Sequence, residues 1–213
     1  MPESSSSRET PKSSSSEVSV SSSSEVALAL PCKTDLVDTC VYGELTDSRD
    51  GQTYKTVTIG DQVWMAKNLN YETSASYCYN DDASNCVKYG RLYTWTAATM
   101  ACPSGWHLPS TTEWEALFNA VGGASTAGAK FKSTSGWFDN GNGTDSFGFS
   151  AFPAGRGGIN GLYSNEDNYA SFWSSTEEDG YFYYMYGLFY NGDGMYLGRY
   201  GSDIVLSVRC LMN

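Results

Sequence analysis

The chain has 213 residues, a formal net charge of -11 and a pI near 4.4. Thirteen basic residues against twenty-four acidic ones leave no phosphate-binding footprint, which argues against nucleic acid and against an anionic membrane surface as partners. Aromatic residues make up 15 % of the chain and charged ones 17 %, the latter below the usual ~25 %; that balance argues against a disordered protein and against a helical bundle built from Ala, Glu, Lys and Leu, and suits an extracellular β-rich module.

Residues 1–31 come first. Three Ser tetrads (4–7, 13–16 and 21–24) and a repeated Ser-Ser-Ser-Ser-Glu-Val leave little apolar surface to bury. Nothing there offsets the entropy of ordering, so a disordered Ser-rich linker that spaces a module from a surface is expected. The start has neither a basic segment nor the apolar core of a secretory signal. The longest apolar run, residues 26–30, is far too short to cross a bilayer, so direct membrane insertion is not expected.

Six cysteines follow: Cys32, Cys40, Cys78, Cys86, Cys102 and Cys210. None forms a Cys-x-x-Cys pair, and a single His leaves no zinc-finger spacing, so neither metal nor cofactor is expected. Seven residues separate Cys32 from Cys40 and Cys78 from Cys86, and both pairs flank polar loops. That suits two local disulfides and leaves Cys102 with Cys210 as a long-range staple. Six cysteines allow about fifteen pairings, so this set rests on proximity; reduced, buried thiols in a cytosolic protein are the alternative. The oxidised reading expects an extracellular or cell-surface protein, with the true start of the chain missing or misassigned. Residues 32–44 read as a small disulfide loop at the entrance to a domain over 45–213.

Within that domain Asp47-Ser48-Arg49-Asp50-Gly51 is a turn, and residues 52–59 alternate as a half-buried strand. Gly60-Asp61 turns into a second strand at residues 62–66, completing a hairpin. Residues 92–101 carry Trp95, Ala98 and Thr99 at helical spacing and predict a short helix. The clearest element is next. Ser110-Thr111-Thr112-Glu113 is a capping box, Trp114, Leu117, Phe118 and Val121 follow on one helical face, and Gly122-Gly123 stops the helix. Residues 136–168 read as mostly loop, with an extended piece at 147–152. Residues 172–176 read as a strand. Residues 181–190 and 195–200 flank Asn191-Gly192-Asp193-Gly194, a hairpin signal, and residues 204–210 close the domain as a terminal strand.

Several blocks are familiar in this order. Asp50-Gly51-Gln52-Thr53-Tyr54-Lys55-Thr56-Val57, Trp64-Met65-Ala66-Lys67-Asn68-Leu69, Ala101-Cys102-Pro103-Ser104-Gly105-Trp106-His107-Leu108-Pro109, Gly148-Phe149-Ser150-Ala151-Phe152-Pro153, Phe172-Trp173-Ser174-Ser175-Thr176 and Ser207-Val208-Arg209-Cys210 resemble the Fibrobacter succinogenes major paralogous domain family. The Ser-rich leader is similar to linkers that follow lipoprotein anchors in such bacteria. The resemblance implies an α+β, C-type-lectin-like fold: two short helices, long loops and a small antiparallel sheet. Cys102–Cys210 would tie the helical region to the last strand, a closure worth about 4–5 kcal/mol in the chain-entropy account. Surface display, with adhesion or carbohydrate binding, is the activity the resemblance implies.

The residues point to binding over catalysis. The run Tyr181, Phe182, Tyr183, Tyr184, Tyr186, Phe189, Tyr190, Tyr196 and Tyr200 falls on strands, where one face buries and the other can present flat rings to a sugar, with Tyr181, Tyr183, Tyr184, Tyr186, Tyr190 and Tyr196 as the candidate binding rings; cross-strand packing is the competing use of the same rings. A plant cell-wall polysaccharide is the expected partner, and an envelope protein the alternative. No catalytic residue is expected. His107, the single His, sits between Trp106 and Leu108 and reads as a core residue. The stretch from His107 to Trp114 also resembles the helix start of formylglycine-generating enzymes, but those need a reactive cysteine pair near the C-terminus, where this chain has Cys210 alone. Asp139, Asn142 and Asp145 share a loop but miss the EF-hand spacing and read as turn residues.

Overall fold

The computed structural model describes Met1 and residues 28–213; the linker expected over 1–31 lies almost entirely outside the described residues. The strands are β1 (Tyr42–Thr46), β2 (Thr53–Ile59), β3 (Gln62–Met65), β4 (Ser76–Tyr77), β5 (Leu92–Thr94), β6 (Trp106–His107), β7 (Arg156–Gly158) and β8 (Tyr163–Ser164). They continue with β9 (Tyr169–Glu177), β10 (Phe182–Phe189), β11 (Tyr196–Gly201), β12 (Ile204–Ser207) and β13 (Leu211–Met212). The helices are α1 (Ala83–Tyr89), α2 (Trp95–Ala101), α3 (Thr111–Ala120) and α4 (Ala124–Phe131). The molecule is therefore α+β, as expected, but richer than the two helices and small sheet anticipated: four α-helices and two sheets stand among the described residues.

The first sheet runs β1-β2-β3-β13-β6 and the second β11-β10-β9-β12-β5-β4, with β7 also on β12 and β8 on β7. β2 belongs to two cores. Its early Tyr54 faces one cluster, with Met65, Trp173 and Met185, while Val57 and Ile59 face another, with Trp64, Trp114, Phe118 and Phe172. Half-burial predicted from alternation thus becomes burial on both faces, each over half the strand.

All three disulfides form in the expected pairs, and no described cysteine is free. The Cys32–Cys40 loop is held to the body by the N–H groups of Cys32 and Lys33, which donate to the Ser146 carbonyl at 2.8 and 3.0 Å. Lys33 Nζ adds a 2.5 Å contact to the buried Asp145 carboxylate. Strand β1 spans the boundary expected between residues 44 and 45 and pairs with β2 from Tyr42 onward.

Helix α3 forms as its capping box dictates. Ser110 N–H donates to Glu113 Oε2 at 2.7 Å, and Glu113 N–H donates to Ser110 Oγ at 3.3 Å. Gly122 and Gly123 stop it at φ +97° and +101°, a region open to glycine. The expected helix over 92–101 is corrected at its start. Leu92, Tyr93 and Thr94 pair with β12, and the helix begins at Trp95 under a Thr94 cap. Sheet pairing overrides the helical spacing there. The loop expected over 153–168 contains β7 and β8, whereas 147–152 makes a single bridge, Lys132 to Ala151. The terminal strand expected over 204–210 ends at Ser207. The chain then crosses at Val208, Arg209 and Cys210 to β13 in the other sheet, with Cys210 tied to Cys102 at the end of α2.

The β10–β11 turn is fixed from within. Lys132 is buried, and its ammonium donates to the carbonyls of Phe189, Tyr190 and Gly192 at 3.3, 3.1 and 3.1 Å.

Candidate functional site

Strand register sorts the tyrosines. Opposed residues in an antiparallel pair share a face. Tyr183 opposes Tyr200, Met185 opposes Gly198 and Trp173, Gly187 opposes Tyr196 and Ser171, and Phe189 opposes Tyr169. These residues line one face. Tyr184, Tyr186 and Leu188 point to the other.

The expected Tyr platform therefore does not form as a unit. Tyr186 is 4 % exposed, set among Trp114, Phe118 and Phe172 beneath α3. This corrects its assignment as a ligand-facing ring, because a buried side chain offers no flat surface to a sugar. Tyr184 shares its face farther along and donates to Glu178, which also binds Arg199. Tyr190 closes the end of the strand, edge-on to Phe138. Tyr181 is 69 % exposed on the loop before β10. Tyr183 stacks on Trp95 of α2 at 4.0 Å between centroids.

The opposite face carries a continuous row. Tyr169 meets Phe189 edge-on at 4.5 Å, and Phe189 stacks on Tyr196 at 4.4 Å. Tyr196 reaches Tyr200 by hydroxyl contact; burial and that neighbour push the Tyr196 hydroxyl pKa up. Tyr200 then receives a hydrogen bond from Arg156, whose guanidinium carbon sits 4.9 Å over the ring. Each of these four rings is only partly buried. Two glycines make the row possible. A Cβ on Gly187 would lie 2.1 Å from Tyr196 Cε1, and one on Gly198 would lie 3.1 Å from Tyr196 Cε2, so the Tyr196 ring lies flat across bare backbone. At Tyr200 the row opens into a shallow cleft of about 330 Å³ lined also by Arg156, Asn160, Leu162 and Asp203. Tyr169 and Arg156 were not expected at a site, whereas Phe189 and Tyr200 belong to the expected aromatic run though not to its six candidate rings. The register implied by the Asn191-Gly192-Asp193-Gly194 turn is the signal that could have placed Phe189 and Tyr200 beside Tyr196.

A second cleft, of about 190 Å³, lies between the β2–β3 hairpin and α1, and Arg209 forms part of its wall. Arg209 is 1 % exposed and donates to Asn68 Oδ1, Met65 O, Phe149 O and Ser150 O at 2.6–2.9 Å. Burial pushes its pKa down to about 9, which leaves it charged at neutral pH. An arginine inside the apolar run of residues 204–211 was the available sequence signal.

His107 is corrected from a core residue to a half-exposed one. Its Nε2 lies 2.9 Å from Glu113 Oε1 and its Nδ1 lies 2.7 Å from Asn213 Oδ1. The ring joins the capping box of α3 to the C-terminus. Burial pushes the Glu113 pKa up, but hydrogen bonds from Ser110 and the contact with His107 outweigh it and hold the carboxyl below its usual range. Trp114 is fully buried in the core, as expected. Of the loop acids, Asp145 is consumed by Lys33 and by Ser150, and Asn142 accepts from Trp137 N–H. Among the described residues no group of three or more His, Cys, Asp or Glu is placed to hold a metal ion.

Three disulfides indicate an oxidising compartment. Among the described residues no helix is long and apolar enough to cross a membrane. Comparison with curated proteins and with solved structures finds no match. Residues 57–212, well over half the chain and including every element from the end of β2 to β13, match the family profile of the Fibrobacter succinogenes major domain, and the chain belongs to that family.

Proposed function

We propose that the protein is a non-catalytic module, secreted or displayed on the cell surface, that binds polysaccharide along the ring row of the second sheet. The supporting observation is the run Tyr169, Phe189, Tyr196 and Tyr200, partly exposed on one face and ending at a polar cleft with Arg156, Asn160 and Asp203. Flat rings pack against the C–H face of a sugar, and polar groups at one end fix its hydroxyls. A plant cell-wall polymer is the proposed ligand class. The same reading takes the body as a C-type-lectin-like fold, supported by α3 and α4 standing ahead of strands β9 to β12 and by the Cys102–Cys210 bridge from the end of α2 to the crossing between β12 and β13. It also takes the Ser-rich segment as the spacer of a lipid-anchored precursor, which fits the oxidised cysteines.

Retention of the oxidised protein on insoluble cellulose and xylan tests this. Tyr169→Ala combined with Tyr200→Ala is expected to lose retention while keeping the thermal midpoint within a few degrees. Undiminished retention of that variant sinks the site. If the unaltered protein is not retained on any glycan but saturably binds purified envelope proteins, the polysaccharide reading gives way to a protein-interaction role; the exposed Ile159 and Leu162 beside the cleft would then be the first contacts to examine.

A further inference from the structure

The chain is strongly acidic, yet the cleft between the β2–β3 hairpin and α1 reverses that sign. Its lining contributes Lys67, Lys88 and Arg209 and not one carboxylate, although Asp and Glu outnumber Lys and Arg by twenty-four to thirteen in the sequence. Arg209 is the unusual member. A buried cation is normally neutralised by an acid, because desolvation without a partner is costly. Here four of the five N–H groups of the guanidinium go to neutral oxygens, and no carboxylate stands within ion-pair distance among the described residues. The acid that bears on it, Asp145, is already paired with Lys33, so the guanidinium is held without a direct ion pair. Lys67 has no ion pair among the described residues, and Lys88 reaches Glu166 only at 3.9 Å. Low-dielectric walls concentrate such a field in the cleft.

The walls are built before any ligand arrives. The Cys78–Cys86 disulfide anchors the helix that supplies Cys86, Val87, Lys88 and Tyr89. Asn68 ties the opposite wall together: its Nδ2 donates to Tyr89 O at 2.7 Å while its Oδ1 accepts from Arg209 at 2.7 Å. Gly90 lets the two walls approach. At φ +76° a Cβ there would sit 2.8 Å from both Asn68 Cβ and Leu69 O. Gln52 and Asn70 add amide groups at the rim. The volume, about 190 Å³, is below the roughly 300–1,000 Å³ of drug-sized pockets and suits one small unit.

We infer that this cleft is an oxyanion site, taking a carboxylate or sulfate group carried on a single sugar-sized unit. It is separate from the ring row. That the site takes an anion stands without the polysaccharide reading; that the anion is borne by a polymer's sugar rests on it. The ion pairs would come from Lys67 and Lys88, with Arg209 supplying fixed positive potential from the wall.

The test is a titration of the oxidised protein, followed by backbone NMR, with galacturonate, galactose and inorganic sulfate. Galacturonate is expected to shift the amides of residues 67–70 and 86–90, with galactose far weaker. Lys67→Glu with Lys88→Glu, both at exposed positions that leave Arg209 untouched, is expected to weaken galacturonate about tenfold or more. Sulfate binding at the same amides would show a site that reads charge alone and would support the anion assignment. Galactose equal to galacturonate, no shift with either anion, or a double variant that binds as well as the parent would each overturn it. Tyr169→Ala with Tyr200→Ala serves as the control: it should leave the galacturonate shifts intact even where it abolishes retention on cellulose, so the two readings fail separately.

Discussion

On one face of the β9–β10–β11 sheet Tyr186 is sealed beneath α3, beside Trp114 and Phe118; on the other, Tyr169, Tyr196 and Tyr200 each keep an edge in solvent. The side chains are of one kind and the strands are the same. What differs is cover. α3 and α4 complete a core over the first face, whereas α2 reaches only the Trp173 and Tyr183 end of the second. A tyrosine on a strand is therefore neither a core residue nor a binding residue by type; the helix that crosses its face decides.

That contrast can be broken at its strongest point first. Tyr186→Ala should cost about 3–5 kcal/mol, the usual loss for a large aromatic removed from a core, seen as a lower midpoint in chemical denaturation. A loss below about 1 kcal/mol would mean that the first face is open to solvent at Tyr186. Gly187→Val strikes the second face. Its added carbon meets the Tyr196 ring at 2.1 Å, and overpacking of this kind typically costs about 1–3 kcal/mol. Displacement of the Tyr196 ring should appear in its aromatic proton shifts and should weaken any ligand held by the row. Tyr169→Ala should move stability less than Tyr186→Ala does, since its ring is partly in water already. Equal losses from the two would erase the distinction between the faces.

The smallest expected effect is a pH response of the cap over the first face. Glu113 has a folded pKa held below its ordinary 4.5, so the unfolded chain takes up the proton first. The cap's contribution is then fully present above about pH 4.5 and is lost as pH falls through the lowered folded value. Glu113→Gln should flatten that acid limb of the stability curve. An unchanged limb would remove the carboxylate from the account.

Much of this architecture was legible in the chain, for identifiable reasons. Ser110 with Glu113, the Gly122-Gly123 stop and the Asn191-Gly192-Asp193-Gly194 turn are local signals whose meaning does not depend on distant partners. The cysteine pairs were legible because short polar loops bring Cys32 to Cys40 and Cys78 to Cys86. Helix α1 was not: it has seven residues, an Asp82 cap and a disulfide in its middle, so its stability comes from neighbours more than from periodicity. Helix α4 was hidden by small residues. Its Gly128 looks like a breaker and is in fact a close-packing site, where a Cβ would fall 2.6 Å from Gly194 O. Leu92 and Tyr93 fall within the expected helix but are claimed by β12. Neither candidate site could be assembled from spacing. Arg156 meets Tyr200, and Lys67, Lys88 and Arg209 come to line one cleft, only after segments far apart in sequence have folded together.

Lys132 has one more consequence. Three main-chain carbonyls converging on a cation form the kind of cage in which other proteins hold a calcium ion. Here the guest is part of the chain. A tethered cation arrives at a fixed effective concentration, so the turn that sets the register of the ring row never has to compete for ions with the surrounding medium. Whatever the ion supply around it, this turn keeps its geometry through dilution and chelation alike.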